Sequence, residues 1–197
     1  KGEMQNIYAV RWDNDSAAQA VPLTHSVDRI EAMGQDAVIV GTQGRDLHFS
    51  SVELKQQAAF AHLYTRKDAA QGETRSHGFF YKPANEREGV VGLPIVGAGR
   101  PGYQQLLQES AAVLYLKNRA LKLTELGALE SKAAGKVNDG CKASCVDWYG
   151  NSRPLFLKGR VFALMGYELV EGRISGENIS EVRRINYAPQ TRVGIAK

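Results

Sequence analysis

Apolar residues along this chain fall mostly in short runs or at a two-residue rhythm, broken every few positions by turn-forming residues, which is the pattern of β-strands. In the first half, Ile7 to Trp12 is apolar and aromatic, Asp36 to Gly41 is β-branched, and Leu47 to Leu54 partly alternates. Gly34-Gln35-Asp36, Thr42-Gln43-Gly44-Arg45 and Pro83-Ala84-Asn85 supply the Gly, Pro and Asn chemistry that reverses a chain between neighbouring strands. Further strands are expected at Gly78 to Tyr81, Val90 to Val96, Pro154 to Leu157, Val161 to Met165 and Glu181 to Tyr187. The fold class predicted is all-β.

One segment follows another period. Tyr103, Leu106, Leu107, Ser110, Ala111 and Leu114 sit at helical spacing behind Pro101-Gly102, which predicts one short helix near 103–112. From Val113 onward, Leu114, Leu116, Leu121 and Leu123 keep a two-residue rhythm across the polar break Lys117-Asn118-Arg119, and a hairpin turning at that break is expected. Glu130 to Gly140 is small and polar, the composition of a surface loop.

A short pattern recurs. The run Phe156 to Leu164 aligns without gaps on Tyr115 to Leu123, placing Leu157 on Leu116, 41 residues earlier. It aligns again on Ala32 to Val40, placing Leu116 on Met33, 83 residues earlier and close to twice that spacing. Each copy has an apolar strand, a tight polar turn and a second apolar strand, as one antiparallel hairpin per unit requires. A period in the low forties with a hairpin in each unit resembles the blades of β-propeller proteins of the WD and kelch types. On that resemblance, Cys145 to Asn151, Arg153 to Leu157, Arg160 to Gly166 and Tyr167 to Glu171 are four successive strands of one blade. Ile7 to Trp12, Val27 to Met33, Asp36 to Gly41 and Leu47 to Leu54 are those of another. The chain lacks the regular Gly-His and Trp-Asp marks of WD repeats, with Trp12-Asp13 its sole Trp-Asp pair, so an irregular sandwich or barrel is the alternative architecture. The resemblance implies one repeat domain over residues 1–197, either a small propeller or an incomplete piece of a larger one that needs further polypeptide to close.

Composition narrows the class without naming an activity. With 197 residues, 43% hydrophobic and 23% charged, the chain can bury a core, and disordered or coiled-coil classes are excluded. Its longest apolar stretches, such as Ala111 to Leu116, fall far short of the roughly 20 residues of a membrane-spanning helix. A formal charge of +4 comes from basic residues scattered in ones and twos among Asp and Glu, which reads as a mixed solvated surface rather than a nucleic-acid stripe.

Candidate chemistry is sparse. Gly97-Ala98-Gly99-Arg100-Pro101-Gly102 matches GxGxxG, but a dinucleotide site needs alternating strands and helices around it, and a Gly-rich loop is the better reading. Cys141 and Cys145 form a CxxxC without a nearby His, too few ligands for zinc, and are a candidate disulfide in an exported protein. Glu73-Thr74-Arg75-Ser76-His77-Gly78 gathers an acid, a guanidinium, a hydroxyl and an imidazole just before a strand, making Arg75 and His77 candidate ligand-binding residues. Asp147, Trp148 and Tyr149 could form a sugar-stacking platform with a carboxylate. No Gly-x-Ser-x-Gly elbow, His-Glu-x-x-His or P-loop occurs.

The function expected is a non-catalytic binding or scaffolding module that needs no cofactor and no metal. Its partner would be another protein or the remainder of the same propeller, with carbohydrate a further possibility. The alternative is a propeller-type hydrolase or lyase acting on a carbohydrate-like substrate. The Cys pair and the Gly-rich β character favour an extracytoplasmic or cell-surface location.

Overall fold

A computed structural model describes residues 5–13, 17–97, 111–132 and 152–187. Every strand pairing among them is antiparallel. Among the described residues, strands β1 (Gln5–Ala9) and β2 (Gln19–Leu23) pair only with each other. The first full sheet is β3 (Arg29–Met33), β4 (Asp36–Gln43), β5 (Asp46–Leu54) and β6 (Ala58–Arg66), in chain order. The second contains β7 (Ala69–Gln71), β8 (Phe80–Pro83), β9 (Glu88–Gly97), β10 (Ala111–Arg119) and β11 (Lys122–Glu130). There β8, β9, β10 and β11 run in order, and β7 shares the edge of β9 with β8. The third is β12 (Arg153–Leu157), β13 (Arg160–Met165), β14 (Glu168–Ser175) and β15 (Asn178–Asn186).

The three full sheets share more than strand order. In each, the register between the third and fourth strands slips at one point: Ser51/Val52, Tyr115/Leu116 and Glu171/Gly172. A bulge there bends and twists the outermost pair in the same place each time.

Three apolar layers separate the sheets. Val21 and Leu23 pack on Ile39 and Val52 between the β1–β2 pair and the first sheet. The opposite face of the first sheet, with Val38, Val40 and Phe49, meets Leu93, Leu114 and Leu116 of the second. Val113 and Tyr115, on the far side of β10, meet Val161, Ala163 and Val170 of the third. Because strand side chains alternate between faces, β10 feeds both layers. Polar ties run alongside. The Tyr64 hydroxyl and Arg66 Nη1 (2.7 Å) of β6 both bond Glu125 of β11. Tyr115 donates its hydroxyl to the Phe162 carbonyl (2.7 Å). Glu168, 1% exposed, accepts from Ser131 Oγ (2.5 Å) and the Lys132 amide (2.9 Å) and forms an ion pair with Arg184 Nη1 (2.9 Å), joining the third sheet to the end of the second.

The all-β expectation holds, and strands lie within a few residues of every predicted run that is described. Four details are corrected. Ile7 to Trp12 is not the first strand of the first sheet; β1 pairs with β2, and the sheet is completed instead by β6. β6 is half-exposed along its length and so lacks the alternation that marks a strand in sequence. Among the described residues the third sheet runs from β12 to β15, so it extends one strand past the blade expected to end at Glu171, while Cys145 to Asn151 lie outside the described residues. The β10–β11 hairpin forms, but its turn is Ala120-Leu121, both at positive φ (48° and 72°), not Lys117-Asn118-Arg119. Burial decides this: Leu121 is held in the core, and Asn118 Oδ1 accepts its amide (3.0 Å), which stabilises a turn that neither residue type favours. Finally, Ala111 and Ala112 open strand β10; the rest of the predicted helix lies outside the described residues.

Candidate functional site

Of the sequence candidates, Arg75 and His77 lie in the described chain and the fold brings them to one carboxylate. After β7 the chain crosses toward β8 through a single 3₁₀ turn, Ser76–Gly78. Gly72 anchors the crossing by donating its amide to the Pro94 carbonyl (2.9 Å). At its centre Glu73 is buried. Its Oε1 accepts the Arg75 amide (2.8 Å) and Arg75 Nε (3.1 Å), its Oε2 accepts Arg75 Nη2 (3.1 Å), and His77 Nε2 lies 3.4 Å from Oε2. Gly78 is required by proximity, since a Cβ there would stand 2.7 Å from Glu73 Cγ and 2.9 Å from its carbonyl oxygen.

Arg29 of β3 closes the cluster from below. Its Nη2 donates to the carbonyls of Glu73 and Arg75 (3.0 Å each), and its Nη1 lies 3.3 Å from Glu31 Oε1. Burial pulls the Arg29 guanidinium below its ordinary pKa and pushes the Glu31 carboxyl up. For Glu73, burial acts upward, but the bonds from the Arg75 side chain and amide, with the charges of Arg75 and His77, outweigh it and hold the carboxyl below its ordinary value. An ionised, fully bonded carboxylate makes a poor general base. The arrangement braces a crossing segment, and the two sequence-predicted side chains are engaged in that bracing.

The remaining candidates, Asp147, Trp148, Tyr149 and the pair Cys141 and Cys145, lie outside the described residues, as does the Gly-rich loop beyond Gly97. Arg29 carries no sequence signal linking it to Glu73, because they meet only through the packing of the first sheet on the second.

The fold also assembles a pair that spacing along the chain conceals. His25 and His48 stack with ring centres 5.3 Å apart and planes 8° from parallel. His25 Nδ1 donates to the Ser26 carbonyl and its Nε2 meets Ser50 Oγ, each at 2.7 Å, while His48 Nδ1 meets Thr65 Oγ1 at 3.0 Å. Burial, with the nearby His25, holds the His48 imidazole below its ordinary pKa. Among the described residues no cluster of three or more His, Cys, Asp or Glu is arranged to hold a metal ion.

Two concave surfaces are apolar. One, of about 540 Å³, lies between β1 and the outer face of the first sheet. The other, of about 310 Å³, lies on the outer face of the third sheet among Phe80, Leu155, Leu157, Phe162 and Leu169. No family model, curated protein or solved structure matches the chain.

Proposed function

We propose that this protein is a non-catalytic binding or scaffolding module of the β-propeller kind, each four-stranded sheet being one blade. The observation that carries the proposal is the triple recurrence of a four-strand antiparallel meander with its bulge between strands three and four. Face-to-face stacking of these units supports it, as do the neighbouring fourth strands, β6 beside β11 and β11 beside β15. Support for a non-catalytic role comes from Arg75, which bonds the buried Glu73 carboxylate, and His77, which lies 3.4 Å from it. The partner is another protein or further blades of the same propeller, and the location is extracytoplasmic, with Cys141 and Cys145 oxidised to a disulfide.

Native-state hydrogen exchange with mild denaturant tests the architecture. Units that touch only their neighbours open separately, so the third sheet should release its amides in a step distinct from the first two. A single all-or-none opening overturns the blade arrangement. Hydrolysis or elimination on a panel of chromogenic glycosides and uronides overturns the non-catalytic role, and reactive thiols in the freshly purified native protein overturn the location.

A further inference from the structure

The His25–His48 stack sits where the β1–β2 pair is fastened to the first sheet. Beyond Leu23 the chain enters a short connector, residues 24–28, that lies flat on β4: a Cβ at Gly41 would stand 1.7 Å from the Ser26 carbonyl oxygen. The Ser26 amide donates to the Thr42 carbonyl (2.9 Å) and the Thr42 amide donates to Ser26 Oγ (2.8 Å). Further back, the Ala58 amide of β6 donates to Gln19 Oε1 of β2 (2.5 Å). His25 is the buried ring of the connector, and it lies against His48 of β5.

The bonds of the two rings suit the neutral form. His25 Nδ1 donates to the Ser26 carbonyl, so in the neutral ring Nε2 accepts from the Ser50 hydroxyl. In His48, Nδ1 bonds Thr65 Oγ1, and Nε2 is buried without a partner among the described residues. A proton added at that Nε2 creates a buried, charged donor with no acceptor, and one added to His25 sets its charge against the second ring. The surrounding charges do not offset this. Asp46 of β5 favours the protonated His48, but it is paired with Lys67 (2.5 Å), which opposes it. Asp28 on the connector is engaged by Ser26 Oγ (2.9 Å) and Gln71 Nε2 (3.1 Å). Arg66 of β6 turns to Glu125 (2.7 Å), Arg29 of β3 to the Glu73 carbonyl (3.0 Å), and His62 of β6 is exposed.

We propose that the His25–His48 stack is a proton-operated latch. Neutral, it holds the connector and the β1–β2 pair on the first sheet; protonated, it separates and lets them lift as a unit while β3 to β6 stay folded. The rings gain water when the connector lifts, so the lifted state binds the proton that the closed state resists, and acid shifts the population towards it. Lifting uncovers Val21 and Leu23 on one side and Ile39 and Val52 on the other, all buried in the closed state. The latch concerns the first sheet alone and does not rest on the blade arrangement.

Residue-resolved hydrogen exchange on the intact chain at about pH 7.5 and 5.5, each rate divided by the intrinsic rate at that pH, tests it. The amides of Ser26, Thr42 and Ala58, whose bonds tie the lifting unit to the sheet, should lose about tenfold in protection. One proton bound only in the open state shifts the opening equilibrium about tenfold per pH unit below about 6.5. Their opening should also have a shallower denaturant slope than that of amides in the middle of β4 and β5, because less surface is exposed. His48→Gln, which keeps a polar group beside Thr65 and takes no proton, should reduce the pH effect to less than about twofold. The wild-type comparison stands even if that variant folds poorly. Unchanged protection at the lower pH, a loss that shares the slope of the β4 and β5 amides, or an undiminished loss in a folded His48→Gln overturns the latch.

Discussion

Among the described residues, the second and third sheets differ in how many of their faces are covered, and much of the sequence pattern follows from that. β10 is buried on both sides, with Ala112, Leu114 and Leu116 toward the first sheet and Val113 and Tyr115 toward the third. β13 is buried on one, where Val161, Ala163 and Met165 face inward while Phe162 and Leu164 are half-exposed. A strand covered twice reads as a continuous apolar run; a strand covered once alternates. The same length of chain therefore carries different information about itself in the two places.

The comparison breaks most readily at Tyr115. It is fully buried between the two sheets and its hydroxyl reaches across to the Phe162 carbonyl. Tyr115→Ala should cost about 4 kcal/mol by lost burial and the cavity left behind. Chemical denaturation measures it, and a loss under about 1 kcal/mol would mean the site collapses as a surface site does. Next comes Glu168, whose removal leaves Arg184, with its side chain 15% exposed, without its buried counter-charge. Glu168→Ala should cost roughly 3 kcal/mol, because Arg184 keeps only the more exposed Glu181 (2.9 Å) while the Lys132 amide loses its acceptor, and Arg184→Met with Glu168→Leu should recover part of it by removing the buried guanidinium as well.

A third change acts on sheet spacing alone. A Cβ at Gly92 of β9 would lie 2.4 Å from Pro154 Cβ and 2.8 Å from its Cγ on β12, so the third sheet would have to move away. Gly92→Ala should cost about 2 kcal/mol by overpacking. Gly159, in the β12–β13 turn with open space around it but φ +76°, is the control for backbone strain without crowding. Gly159→Ala should cost about 1 kcal/mol.

How much was legible follows the same division. The third sheet and the β3–β4–β5 part of the first are visible in sequence because one-sided burial and Gly-containing turns mark them. β10 reads as a strand from Val113 onward, but a doubly buried strand has no polar phase to mark its start, so Ala111 and Leu114 also fit the helical spacing of Tyr103, Leu106, Leu107 and Ser110, which lie outside the described residues. Its turn was misplaced because polar residues mark turns only where the turn is exposed; here Asn118 is buried and bonded to the Leu121 amide and to the Tyr81 hydroxyl. β1 and β2 were missed as a pair because nothing local tells which strand joins which sheet. Around Glu73, the local motif was visible and its purpose was not, since Arg29 arrives from 44 residues away. The His25–His48 stack is hidden for the same reason.

That stack extends the comparison to the first sheet, whose outer face is closed in part by polar rings. The His48 imidazole is held below its ordinary pKa, chiefly by burial. The unfolded chain therefore binds the proton first, and stability is full above the ordinary histidine value of about 6.5 and falls as pH drops below it. Glu181, held at about 2 by Arg184 and Lys132, loses its contribution only at far lower pH, so the two effects separate. Thermal midpoints between pH 7.5 and 5 should decline, and His48→Gln should flatten that decline. An unchanged slope in the variant would place the acid sensitivity elsewhere.

The smallest effect is expected where no described residue covers the third sheet. Leu157 ends β12 at 62% exposure beside the cleft on the outer face, and it touches solvent on the side where Tyr115 touches another sheet. Leu157→Ser should change stability by no more than about 0.5 kcal/mol in the isolated chain, because little apolar area leaves or enters water. The value becomes informative when compared with Tyr115→Ala under the same denaturant. If the two differ by several-fold, the third sheet is a terminal layer with a free face. If Leu157→Ser costs as much as a core change, that face is already covered in solution, and the protein's oligomeric state by light scattering would change with the substitution.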